Sequence, residues 1–204
     1  MRVCDSMLPG LAQSFQASTG QAAYAISAFA VAYGLMQLAY GYLGDRQSKY
    51  RIAMLATFAC TVGTVGSALA PSLEALIAMR ALAGATAGGV IPLSLAWIGD
   101  AVRYEQRQAT LARFLSGNLL GLIGGQVIGG VFADTLGWRW AFVLLAVVFA
   151  LVGSLLLREL QRGTVPVRAP RSSQAGLLAG ARAVLALPWT RVILVTVFLE
   201  GMFG

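Results

Sequence analysis

The chain has no histidine, only two cysteines, and charged side chains at just 11% of its 204 positions. Each scarcity closes off some chemistry. Without imidazole there is no Ser–His dyad and no histidine zinc site. Cys4 and Cys60 stand alone in apolar segments, with no metal-ligand spacing and no partner in sequence, so they read as buried inert thiols. No two carboxylates are placed on a shared pair of helices, as an aspartyl dyad requires. An enzyme is therefore not expected, nor a metal or cofactor site. Met1–Gly10 lacks the apolar h-region of a secretory leader. Alternation with period two, the mark of membrane strands, is also missing.

What the chain does have is apolar length. It is 58% hydrophobic, with mean hydropathy +0.74, which is membrane composition. Five runs are each long enough to cross a hydrocarbon core as helices: Gln21–Gly41, Ile52–Ala70, Leu73–Ile98, Thr110–Ala133 and Trp140–Leu157. The fold class that follows is all-α and polytopic, an integral multi-pass membrane protein. Trp138, Trp140, Trp189, Tyr42 and Tyr50 fall at the expected interfaces as an aromatic belt.

The net charge of +7 would suggest nucleic acid in a soluble protein. Here it follows topology instead. With loop 43–51 placed in the cytoplasm, Arg46, Lys49, Arg51, Arg103, Arg107, Arg113, Arg158, Arg162, Arg168, Arg171, Arg182 and Arg191 all fall inside. Only Arg139 falls outside, a strong positive-inside bias. The expected partner is the lipid bilayer, not nucleic acid.

Both ends read as cut. Met1–Phe15 is too short to span and reads as the outer half of a first helix, with Pro9 and Gln13–Gly20 forming an outer turn. Val192–Gly204 is apolar and stops at mid-membrane depth, the start of a seventh helix. The organisation is then an N-terminal transmembrane bundle over 1–157 (first helix incomplete), a basic cytoplasmic linker over 158–188, and a seventh-helix start over 189–204. A Gly-x-x-x-Asp spacing recurs at Gly41–Asp45 and Gly130–Asp134, three helices apart and facing opposite sides of the membrane. An inverted three-plus-three repeat has this form.

Three segments carry candidate chemistry. In the loop Gly41–Arg51, "GYLGDRQSKYR", Gly41 and Gly44 permit close approach and a tight turn, and Asp45 and Arg46 can pair with neighbouring helices. By spacing alone it is equally a solvated basic loop. Arg80 lies about seven residues, roughly 10 Å, inside its span. It either snorkels to the outer headgroups or lies near a translocation path. In "GNLLGLIGGQVIGG", Gly117, Gly121, Gly125 and Gly129 recur every four residues with Gly124 and Gly130 beside them, a face that lets another backbone come close. Ser27, Ala30, Gly34, Gln37 and Gly41 form a small, polar face on the second helix, with Gln37 the best cavity candidate. Two carboxylates, Asp5 and Glu200, sit where protonation would change a buried charge.

These segments together resemble the major facilitator superfamily, in the order and on the helices that the family uses. The loop is similar to its cytoplasmic signature, matched at Gly41, Asp45, Arg46, Lys49 and Arg51, with Ser48 where glycine is usual. The resemblance implies a conformational latch there. Arg80 with Gly84 resembles the family's fourth-helix motif, which implies a role in proton coupling. Gly121, Gly125, Gly129 and Gly130 match the antiporter pattern, with Gln126 in place of its proline, and imply a gate hinge. The implied protein is the N-terminal six-helix bundle of a twelve-helix transporter in a bacterial inner membrane. It would export small organic compounds in exchange for protons by alternating access, and would need a C-terminal half to close its cavity. A proton symporter for sugars or organic acids, or an inactive half-transporter that only pairs, fits the same residues.

Overall fold

Serine opens three of the helices, and the reason is local. Ser18 accepts a hydrogen bond from the Gln21 backbone N–H at 3.1 Å, while the Gln21 side chain accepts from the Ser18 N–H at 2.9 Å, a reciprocal capping box. Ser48 and Ser72 likewise accept from the N–H groups of Arg51 and Ala75. Each cap satisfies a donor that would otherwise be stranded at a helix start.

The computed structural model describes residues 3–163, with side chains from Met7 onward. The elements are α1 (Val3–Ser14), α2 (Thr19–Arg46), α3 (Lys49–Ala68), α4 (Leu73–Ala87), α5 (Val90–Ala101), α6 (Tyr104–Thr135) and α7 (Trp138–Gln161). No strand occurs among the described residues. With α4 and α5 taken together, five spans are long and apolar enough to cross a membrane. The chain is thus an all-α, multi-pass membrane protein, as its apolar runs predict. Residues 164–204 lie outside the described residues, and with them most of the expected linker, the seventh-helix start and Glu200.

Three expectations need correction. Pro9 lies inside α1, not in the outer turn, which is confined to the residues between Ser14 and Thr19. A helix tolerates the ring because only one backbone bond is lost, the one to the carbonyl of Asp5. The span expected over Leu73–Ile98 is two helices, broken at Gly88 and Gly89. Pro92 brings no N–H to the Gly88 carbonyl, so the break falls where the helix is weakest. Trp138 is buried instead of sitting in an interfacial belt. Its ring stacks at a tilt on Phe15, meets Phe142 edge-on, and donates its Nε1–H to Ser14 Oγ at 3.0 Å.

Helix α3 runs through the middle, against α4, α5 and α7, and α2 lies along α4. In lipid, every polar group must find a partner inside the protein. Along α3, Thr57, Thr61, Thr64 and Ser67 each donate to the carbonyl four residues back, at 2.7–3.2 Å. That keeps a buried hydroxyl stripe satisfied without help from another helix. Small residues then let backbones touch. A Cβ at Gly63 would stand 2.8 Å from the Ala83 nitrogen, and one at Gly84 would stand 2.2 Å from the Phe29 carbonyl oxygen.

Helix α1 packs on α6 much as α2 packs on α4. In an inverted repeat relating α1–α3 to α4–α7, those two contacts are equivalent, which fits the Gly-x-x-x-Asp echo. Core side chains form three clusters along the bundle. One joins Met7, Leu11, Leu76, Trp138 and Phe142, one joins Phe29, Cys60, Ala83 and Ala87, and one joins Tyr40, Ile52, Ala56 and Leu93.

Candidate functional site

The loop between α2 and α3 is two residues long, Gln47 and Ser48, and everything about it is tight. Ser48, standing where the signature has glycine, serves as the N-cap of α3. Gly44 is buried because α5 comes up against it: a Cβ there would lie 2.6 Å from Leu93 Cδ2. Gly41, by contrast, faces open space.

The charges in this loop separate into two sets. Asp45, Arg46 and Arg51 are exposed, and Arg46 lies 4.3 Å over the ring of Tyr42, one turn back on its own helix. Lys49 makes the cross-helix contact. Its Nζ lies 2.5 Å from Asp100 Oδ2, with the two side chains 23% and 31% exposed, so the first turn of α3 is tied to the last turn of α5. Beside it, the Tyr50 hydroxyl donates to the Leu156 carbonyl of α7 at 3.0 Å, and the Tyr50 ring packs at a tilt on Trp97. Asp100 was not visible as a candidate in the sequence. The available signal was a carboxylate ending the "AWIGD" run at the basic end of the bundle, opposite a lysine that starts another helix.

The far end of the bundle has its own clasp. Arg139 Nη2 donates to the Ala70 carbonyl at 3.2 Å and lies 4.3 Å over the Trp138 ring, while Trp138 reaches Ser14. Ser14, Gln16, Gln21, Ser72 and Glu74 line an open cavity of about 470 Å³ at this end.

Arg80 sits inside the bundle. It is 7% exposed, so it does not snorkel. The guanidinium carbon lies 4.3 Å from the centre of the Phe29 ring and 5.6 Å from that of Phe142. Its Nε has no hydrogen-bond partner. The ion pairs among the described residues are Lys49–Asp100, Arg103–Glu105 and Arg162–Glu159, none of which involves Arg80. Gly84, one turn on, is what lets α2 come close enough for Phe29 to cover it. Neither phenylalanine carries a sign in sequence, because an aromatic in an apolar run reads as core.

The remaining candidates lie on helices other than that of Arg80. On α2, Ser27, Ala30, Gly34, Gln37 and Gly41 are all exposed, so the small, polar face packs against nothing in the described bundle. On α6, Gly117, Gly121, Gly124 and Gly130 have no atom within 4 Å of a built Cβ, Gln126 is exposed, Gly125 is half-buried and Gly129 is buried. Helix α6 runs unbroken through Gln126, as expected where proline is absent. Asp5 lies on α1, with its side chain outside the described residues. Cys60 is buried with its Sγ 3.8 Å from the Ala83 carbonyl. Among the described residues, no group of three His, Cys, Asp or Glu gathers to hold a metal.

Residues 3–204 match the family model described as Major Facilitator Superfamily. The multidrug export protein EmrB of Haemophilus influenzae is 33% identical over 149 residues, which cover 71% of this chain and 29% of that protein. The lincomycin resistance protein of Streptomyces lincolnensis is 25% identical over 185 residues, covering 91% of this chain and 38% of its own. A crystal structure of the peptide transporter POT in complex with sulfate superposes with a TM-score of 0.66 at 20% identity, over 97% of this chain and 42% of that one; the likeness is one of fold. The matched stretch spans roughly a third of the curated relatives' length, from 29% to 38% in these two.

Proposed function

This chain belongs to the major facilitator superfamily, and we propose that it works in a secondary active transporter that exports small organic compounds in exchange for protons by alternating access. The basic end faces the cytoplasm in this reading, and the membrane is a bacterial inner membrane. Two relatives named for multidrug export and lincomycin resistance support the direction.

The observation that carries the coupling is Arg80. Among the described residues, this cation is buried in the bundle against the ring faces of Phe29 and Phe142. Such a charge favours ionisation of any carboxyl group that comes near it, and a proton on that carboxyl would in turn be released when the two approach. Asp5 and Glu200 are the proposed carriers. Ser14 and Leu73 line the same cavity, so α1 and α4 share that end. Counted from it along the helices, Asp5 lies roughly 13 Å deep and Arg80 roughly 10 Å. The pair Lys49–Asp100, with Gly41, Asp45, Arg46 and Arg51 around it, serves as the latch at the basic end. The open glycines Gly121 and Gly130, with Gly125, Gln126 and Gly129, serve as the hinge of α6. Gln37 and the exposed face of α2 await a second bundle, the C-terminal half that would close a cavity.

The test is flux in inside-out vesicles. With a fluorescent lipophilic cation as probe, an acidic lumen drives uptake, and dissipating the pH gradient or introducing Arg80→Met abolishes it. Uptake into right-side-out vesicles that rises with an inward proton gradient would overturn export in favour of symport.

A further inference from the structure

A long arginine stem about 10 Å from a membrane surface ordinarily carries its head back to water. Arg80 does not, and neither a carboxylate ion pair nor a hydrogen bond to Nε retains it among the described residues. Two rings stand where a partner would be. Phe29 comes from α2 and Phe142 from α7, at 4.3 Å and 5.6 Å from the guanidinium carbon, both within the roughly 6 Å reach of a cation–π contact. The rings are themselves fixed. Phe142 is fully buried and braced edge-on by Trp138, and the Phe29 backbone lies directly on α4 at Gly84.

We infer that Phe29 and Phe142 are positioning residues that hold Arg80 at its depth through their ring faces. The distinction from an ion pair is chemical. A ring face attracts a cation but accepts no proton and fills none of its N–H donors as a carboxylate would. The clamp therefore keeps the guanidinium in place while leaving its charge available to a carboxyl that arrives and departs during a transport cycle. An aliphatic side chain of similar volume would fill the same space and release the head to move outward. This role in coupling rests on the proposed proton exchange; the clamp itself does not.

Two measurements separate the clamp from the coupling. In vesicles, Phe29→Leu lowers proton-driven transport by about thirtyfold, the scale of one desolvated cation–π contact, while substrate-for-substrate counterflow stays near wild type. Phe29→Tyr, which keeps the ring face, restores the driven rate, and Phe142→Leu gives a smaller loss. In detergent, the melting shifts of Phe29→Leu and Arg80→Met are less than additive in the double variant, because each removes the same contact. Additive shifts, or a Phe29→Leu protein whose driven-to-counterflow ratio matches that of Phe29→Tyr, would overturn the clamp. A wild-type protein insensitive to the pH gradient would instead overturn the proton-exchange reading and the clamp's part in it, with the melting cycle still deciding whether the rings hold Arg80.

Discussion

Replacing Gly84 with alanine adds one methyl group at the point where α2 and α4 lie closest. A Cβ built there stands 2.2 Å from the Phe29 carbonyl oxygen and 2.9 Å from both its carbonyl carbon and Cα. All three atoms are backbone, so no side chain can swing aside. The helices must part locally by about 1 Å before the contact becomes an ordinary one. Overpacking of this kind costs about 1–3 kcal/mol. Parting also lifts the Phe29 ring off Arg80, which gives up a further share of a contact worth about 2 kcal/mol when desolvated. Against these, alanine gains about 1 kcal/mol of helix propensity over glycine. The net is a loss of about 2 kcal/mol, or a fall in melting temperature of about 4–8 °C for a chain of this size. The controls are Gly34→Ala and Gly121→Ala, both in helix interiors with nothing within 4 Å of the added methyl. They keep the propensity gain without the clash and melt at or slightly above wild type. Thermal unfolding of the three variants in one detergent decides the matter. A Gly84→Ala protein that melts with the controls would refute the close approach of α2 to α4 and the placement of Phe29 over Arg80.

Three further outcomes are expected. Lys49→Asp and Asp100→Lys each lower transport, on the order of tenfold, and the double exchange restores most of it, because the 2.5 Å pair is rebuilt with its signs reversed; a double variant as poor as the singles would show that the pair does not latch the two helices. Single cysteines placed at Arg46 and Arg139 are labelled by an impermeant reagent from opposite faces of the membrane, and labelling from one face would overturn the topology. Thr64→Val changes stability by about 1 kcal/mol or less, as measured by melting, because the hydroxyl bonds only its own helix at the Cys60 carbonyl; a larger loss would mean that the hydroxyl stripe of α3 joins helices.

The helices were legible in the sequence because lipid forces a simple rule: an apolar run of sufficient length is a helix that satisfies its own backbone. Their ends were less legible. Helix α6 begins at Tyr104 and not at Thr110, and α2 runs on to Arg46, since nothing in lipid-crossing length says how far a helix projects into water. The break at Gly88 and Gly89 was hidden because glycine is common inside membrane helices, and only Pro92 after it marks the spot. At the candidate site, the lone charge of Arg80 was conspicuous, since an arginine in an apolar run has no bland composition to hide in. Its neighbours were invisible for the opposite reason. Phe29 and Phe142 look like any core aromatics until the fold brings them to one guanidinium from helices more than a hundred residues apart in the chain. The same holds for Asp100, which sequence places at a helix end and only tertiary contact joins to Lys49.

Glycine shows why a motif read by spacing alone does not reveal its use. Gly63, Gly84, Gly88 and Gly89 each face backbone or ring atoms closer than a Cβ allows, so α2, α3 and α4 are packed as one body. Gly34, Gly41, Gly117 and Gly121, at equally regular spacings, face open space on α2 and α6. A packed glycine removes freedom, because the neighbouring backbone fills the space its side chain leaves. An open one retains freedom, both to let a second surface approach closely and to let its own helix bend. The alternating access proposed above would require both properties in one bundle: a body stiff enough to carry Arg80 and its rings as a unit, and a face loose enough for another body to rock against. The two sets of glycines divide along that line, with the stiff set around the buried charge and the open set on the helices that present the unpacked face.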